Sequence, residues 1–114
     1  MIKSLHHIAL SIPKNSVQTA RDFYCHLLGF EDTESPDEHI WLKLGEHFLK
    51  LEASPQESTH NATRLCMQVG DLEILKFKLA AGKFTVIDSE SCSKSKSFQT
   101  KDPFGNVLEF IQLV

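Results

Sequence analysis

The sequence of 114 residues lacks the features that mark several classes of protein. No apolar run approaches the roughly 20 residues of a membrane-spanning helix, and the first residues lack the apolar core of a signal peptide. The three cysteines, Cys25, Cys66 and Cys92, form no CxxC pair, so neither a disulfide framework nor a structural zinc site is predicted. The net charge of −3 gives no basic footprint for nucleic acid. We therefore expect a cytoplasmic protein that binds neither nucleic acid nor a membrane.

The first half of the chain predicts the order strand, helix, strand, strand, strand. Residues 5–12 alternate and are rich in aliphatic side chains, as in a strand. Apolar residues at helical spacing over 17–28 predict a helix, which Gly29 ends in a left-handed conformation. The later elements are a strand that begins at Phe30, a turn at 34–38, and strands at 39–44 and 47–52.

The second half repeats this order, and repetition is the strongest architectural signal in the sequence. Its predicted elements are a strand at 63–69, a helix between Asp71 and Gly82, a strand at 84–87, a loop at 89–96, a strand at 97–100, a turn at 102–106 and a strand at 107–113. We predict a single α+β domain over 1–114, with module one at about 1–53, a linker at 54–61 and module two at about 62–114. The two βαβββ modules would form a curved mixed sheet around a central cavity, with helices on the outer face.

Four segments together resemble the glyoxalase, bleomycin-resistance and extradiol-dioxygenase superfamily, also called the vicinal-oxygen-chelate superfamily. They are Leu5-His-His-Ile-Ala-Leu-Ser-Ile12, Ala20-Arg-Asp-Phe-Tyr24, Leu27-Leu-Gly-Phe30 and Lys101-Asp-Pro-Phe-Gly-Asn-Val-Leu-Glu-Phe110. The resemblance implies one divalent metal ion, held by residues on the first, fourth, fifth and eighth strands, that stabilises an oxyanion or enolate. It also implies a homodimer, commonly with modules exchanged between chains.

The four matching positions carry His7, Lys50, Arg64 and Glu109. His7 and Glu109 are suitable ligands for zinc, iron, manganese or nickel. Arg64 is always charged and has no lone pair, so it cannot ligate a cation. At an effective dielectric constant of ~20, one fixed cation about 6 Å from a divalent ion costs on the order of 5 kcal/mol.

Two outcomes are therefore open at this set of positions. In the first, a third ligand comes from a nearby residue such as His60, Glu52 or His47, or from a strand whose register is shifted by one residue. In the second, Arg64 pairs with Glu109 and no cofactor binds. In the first case the chain is a metal-dependent lyase, isomerase or dioxygenase, with Glu52 as a candidate general base. In the second it is a metal-free small-molecule (antibiotic-type) binding protein of the same fold. In both cases the predicted substrate-binding residues are Lys50, Arg64, Gln68, Trp41 and Phe48.

Overall fold

Each half of the chain folds into a mixed sheet with its own helix, which confirms the α+β class and the two βαβββ modules. The structure is a computed structural model and describes residues 1–34, 39–89 and 94–113. It divides into two compact units, Met1–Asn61 and Ala62–Val114. Within the described ranges, no helix is long and apolar enough to cross a membrane.

The first unit is a four-stranded sheet in the order β1-β4-β3-β2. Its elements are β1 (His7–Ile12), α1 (Val17–Arg21), β2 (Glu31–Asp32), β3 (Ile40–Leu44) and β4 (His47–Ala53). The strand β1 pairs with β4 in parallel, and the other pairs are antiparallel. The helix α1 continues without a break into a π-helical segment, Asp22–Leu27, and Gly29 follows with φ 87°.

Alternation along these strands separates a buried face from an open one. The buried apolar side chains of this unit come from the strands, α1, the π-helical segment and Phe30: Leu10, Ile12, Ala20, Phe23, Tyr24, Phe30, Ile40, Leu42, Leu49 and Leu51. Burying each large apolar side chain contributes roughly 1.5–3 kcal/mol. The side chains on the opposite, open face of the sheet do not form part of this core. The polar and aromatic side chains on that face are therefore available for function.

The second unit repeats the arrangement in the order β5-β8-β7-β6. Its elements are β5 (Leu65–Gln68), α2 (Leu72–Ala81), β6 (Ile87–Asp88), β7 (Ser95–Lys101) and β8 (Val107–Leu113). The strands β5 and β8 are parallel. Asp71 caps α2, because its carboxylate accepts a hydrogen bond from the backbone N–H of Ile74 at 3.2 Å. The core of this unit consists of Leu65, Leu72, Leu79, Phe98, Leu108 and Phe110.

The structure corrects several of the sequence-based boundaries. The strands predicted to begin at Phe30 and at Phe84 contain only two residues each, and β7 begins at Ser95 inside the predicted loop. The helix α2 ends at Ala81 as expected, but Gly82 has φ −80° and the left-handed residue is Lys83, with φ 66°. Most of the predicted turn at 34–38, part of the loop at 89–96, and Cys92 lie outside the described residues.

The turn before β8 is held by a buried carboxylate. Asp102 is 4% exposed and accepts hydrogen bonds from the backbone N–H groups of Phe104 and Asn106, at 2.9 and 2.8 Å. The side-chain amide of Asn106 donates a third bond at 2.7 Å. Gly105 has φ 88°, a conformation that side chains disfavour. This turn fixes where β8 begins and hence which residues of β8 face outward.

A side chain occupies part of the outer edge of β1. The carboxamide of Asn61 accepts a hydrogen bond from the backbone N–H of Ser11 at 3.0 Å and donates one to the carbonyl of Ser11 at 2.9 Å. The hydroxyl of Thr59 donates to the same carbonyl at 3.1 Å. Asn61 therefore satisfies both backbone groups of Ser11, as a neighbouring strand would.

Candidate functional site

The open face of the first unit brings together five of the predicted site residues. In the register of the sheet, His7 lies opposite Phe48 and Trp41 lies opposite Lys50. Glu52 is two residues beyond Lys50 on the same strand, so its side chain points to the same face. All five side chains are half-buried. Leu49 and Leu51, which alternate with Lys50 and Glu52 on β4, pack inward and are buried.

Four rings on this face form an aromatic cluster, His6, His7, Trp41 and Phe48. His6 stacks on Phe48 with ring centroids 5.8 Å apart and an interplanar angle of 20°. Trp41 meets His6 and His7 edge-on, at centroid distances of 6.3 and 4.8 Å. The Nδ1 atoms of His6 and His7 lie 2.8 Å apart, a hydrogen bond in which the tautomers decide the donor.

An open cavity of about 310 Å³ lies against this cluster. Its walls are His6, Thr33, Trp41 and Phe48. The volume falls at the lower end of the roughly 300–1,000 Å³ of typical small-molecule pockets. Sequence reasoning missed His6 and Thr33. Alternation along the predicted strand 5–12 would place His6 on the face opposite His7, but β1 begins only at His7 and the ring of His6 lies beside those of His7 and Phe48.

Lys50 is the charged group that contacts the aromatic cluster. Its ammonium Nζ lies 5.0 Å from the centroid of the Trp41 ring, within cation–π range. The same Nζ is 3.4 Å from Oε2 of Glu52, and the two side chains are 19% and 42% exposed. Glu52, the predicted general base, therefore lies beside a cation.

The open face of the second unit carries the other predicted residues. Nε of Arg64 lies 3.9 Å from Oε1 of Glu109, with side chains that are 57% and 18% exposed. The predicted pairing is thus present, but at a distance longer than a hydrogen bond rather than as a bidentate fork. Cys66 lies opposite Glu109 and Gln68 opposite Ile111. Although Cys66 is exposed as a residue, partial burial of its thiol, followed by the charge of Glu109, raises the pKa of that thiol.

Comparison with known proteins identifies the fold. The sequence model of the Glyoxalase/Bleomycin resistance protein/Dioxygenase superfamily matches residues 4–110. The chain belongs to this superfamily. No protein with curated function matches the sequence significantly.

Solved structures of glyoxalase-superfamily proteins share the fold. A glyoxalase family protein from Bacillus anthracis is 24% identical, with a TM-score of 0.86 over 100% of this chain and 98% of that one. Lactoylglutathione lyase from Agrobacterium tumefaciens is 20% identical, with a TM-score of 0.75 over 97% of this chain and 94% of that one. The antibiotic-binding protein TnmS3 from Streptomyces is 23% identical, with a TM-score of 0.74 over the whole of both chains. At these identities the likeness establishes the fold and not the activity.

The side chains at the superfamily's metal-ligand positions do not fit a metal ion. Lys50 and Arg64 present cations at two of the four positions, and each lies beside a carboxylate of its own sheet, Glu52 or Glu109. His7 belongs to the first unit and Glu109 to the second. Over residues 1–34, 39–89 and 94–113, no three His, Cys, Asp or Glu side chains form a group that could hold a metal ion. The roles of His7 and Glu109 as ligands stay predictions.

Proposed function

We propose that this protein is a small-molecule-binding member of the glyoxalase superfamily that holds its ligand without a metal ion. The observation that carries this proposal is the ion pair between Arg64 and Glu109, with Nε and Oε1 3.9 Å apart. Arg64 stands where a ligand is expected and cannot supply one. It also engages Glu109, the carboxylate that a metal would need, and its charge opposes any nearby cation.

The ligand-binding residues in this proposal are Trp41, Phe48 and Lys50 in the first unit and Arg64 and Gln68 in the second. Half-buried aromatic rings offer contact area at low cost in conformational entropy. Lys50 and Arg64 attract negative charge and donate charge-assisted hydrogen bonds. Because TnmS3, a protein of the same fold, is described as binding an antibiotic, organic molecules of comparable size are the first compounds to test.

The retention of His7 and Glu109 favours a second candidate, a metal-dependent lyase, isomerase or dioxygenase. In that case Glu52 would be the general base, and His7 would ligate through Nε2 because Nδ1 contacts His6. On the resemblance to the superfamily we also propose a cytoplasmic homodimer, with the exchange of modules between its chains left open. Light scattering would give a mass of twice the 12.9 kDa of the chain.

The two candidates differ in metal content and in the response of the melting temperature to metal. We would measure bound metals by elemental analysis after purification, and melting curves with nickel or zinc for the wild type and His7→Ala. His26→Ala is the matched control, because His26 is an exposed imidazole in the π-helical segment and is not a candidate ligand. We expect less than about a tenth of an equivalent of metal and no stabilisation that depends on His7. A melting shift of several degrees that is lost in His7→Ala and kept in His26→Ala would overturn the proposal.

A further inference from the structure

We propose that the open face of the first unit binds a planar aromatic acid, with its ring in the cavity walled by His6, Thr33, Trp41 and Phe48 and its acidic group on Lys50. This inference rests on the proposed function and names the class of ligand. It follows from the register of β3 and β4, the charges on this face and the shape of the cavity.

The register of β3 and β4 places aromatic and lysine side chains in an alternating square. Trp41 lies opposite Lys50, and Lys43 lies opposite Phe48. Residues two apart on one strand share a face, so all four side chains project from the same side of the sheet. Each ring therefore has one lysine across the ladder and the other lysine beside it on its own strand. This pattern offers a surface for a ring and two donors for an acid attached to it.

The walls of the cavity favour a flat ligand. His6 and Phe48 lie nearly parallel, whereas Trp41 stands almost perpendicular to His6, with an interplanar angle of 78°. A planar ring can stack on one surface while it meets the other edge-on, and both geometries are favourable for aromatic pairs. The volume of about 310 Å³ suits one or two fused rings.

The charged group that contacts the cavity wall is a cation, which can receive an anion. None of the four wall residues is a carboxylate, and the charged atom that touches the wall is the ammonium of Lys50, 5.0 Å from Trp41. Glu52 is the partner of Lys50 at 3.4 Å and would compete with a ligand for it. Lys43 is exposed and has Glu31 as its cross-strand neighbour. An incoming carboxylate can therefore pair with Lys50, and Lys43 adds a second positive charge on the same face.

Trp41 provides the measurement, because it is the only tryptophan in the sequence. Its fluorescence would be titrated with 2-naphthoate, with the neutral 2-naphthamide and with the non-aromatic cyclohexanecarboxylate. The variants are Lys50→Met, which keeps an apolar stem, and Glu52→Gln, which removes the competing charge. Lys96→Met is the matched control, since Lys96 is an exposed lysine on β7 of the second unit.

We expect 2-naphthoate to quench Trp41 and to bind roughly tenfold more tightly than 2-naphthamide, as one added charge-assisted hydrogen bond would give. Lys50→Met should abolish that preference, Glu52→Gln should increase the affinity for the acid, and Lys96→Met should change neither. Cyclohexanecarboxylate should bind more weakly than 2-naphthoate.

Equal affinities for the acid and the amide would overturn this inference, as would tighter binding of the non-aromatic acid or an unchanged preference in Lys50→Met. If Lys50→Met does not fold, Glu52→Gln still tests whether the acid pairs with Lys50. Unchanged or weaker binding of the acid in Glu52→Gln would contradict that pairing. If a non-aromatic compound binds the metal-free protein and neither naphthalene derivative does, the ligand class proposed here is wrong. The proposal of metal-free binding would still hold. Binding that requires nickel or zinc would instead overturn the proposed function itself.

Discussion

Replacing Asp102 by alanine should be among the most destabilising single changes in the second unit. The carboxylate is 4% exposed and accepts three hydrogen bonds, two of them from Asn106, which is itself 3% exposed. Removing the carboxylate leaves the two Asn106 donors buried without their acceptor, at roughly 1–3 kcal/mol each. The N–H of Phe104, a half-buried residue, can regain water. We therefore expect Asp102→Ala to lower the free energy of unfolding by about 3 kcal/mol.

Urea denaturation followed by far-ultraviolet circular dichroism would measure this loss. Asp102→Asn keeps one acceptor oxygen and should lose less stability than Asp102→Ala. Glu46→Ala removes an exposed carboxylate from the turn between β3 and β4 and should change the free energy of unfolding by no more than about 0.5 kcal/mol. If Asp102→Ala lost under about 1 kcal/mol, the hydrogen bonds would not be what holds the turn before β8.

Two further predictions concern stability. On α2, Leu79 is 0% exposed and Phe77 is 75% exposed. In urea titrations, Leu79→Ala should lower the free energy of unfolding by about 3 kcal/mol and Phe77→Ala by no more than about 0.5 kcal/mol. Similar losses in the two variants would contradict the burial pattern. The pKa of Asp32 is lowered, first by the hydrogen bond from the backbone N–H of Glu34 and then by Arg21. Its contribution to stability is therefore present above the unfolded-state pKa of about 3.9 and is lost as pH falls through the lower folded-state pKa. Asp32→Asn should flatten the acid dependence of the free energy of unfolding in that range, and an unchanged slope would show that Asp32 does not contribute to it.

The class of fold could be predicted from the sequence because the predicted strands alternate in polarity and glycine or proline residues lie at their ends. The turn at 102–106 and the following strand at 107–113 were predicted with their observed bounds. Register followed from the same alternation, since a shift by one residue would bury Lys50 and expose Leu49. The pairing of Arg64 with Glu109 was one of two outcomes that the sequence left open, because a carboxylate within an apolar strand needs a partner and either Arg64 or a metal ion could supply it.

Other features depend on contacts that no local pattern encodes. The π-helical segment Asp22–Leu27 has the same apolar spacing as an ordinary helix and differs only in its backbone hydrogen bonds. At the end of α2, the backbone of Gly82 packs close to the ring of Phe84, since a Cβ on Gly82 would lie 3.2 Å from that ring. The residue in the left-handed conformation is Lys83 rather than Gly82. His6 joins the aromatic cluster through Phe48 and Trp41, residues more than thirty positions away in the sequence.

The carboxamide of Asn61 has a consequence for how this protein resists aggregation by strand addition. A free strand edge is a template on which another chain can add by backbone pairing, and such growth leads to aggregates. At Ser11 both ladder groups are already engaged by Asn61, so an incoming strand would first have to displace that amide. One side chain, that of the last residue of the first unit, thus limits polymerisation along the end of β1 nearest Ile12.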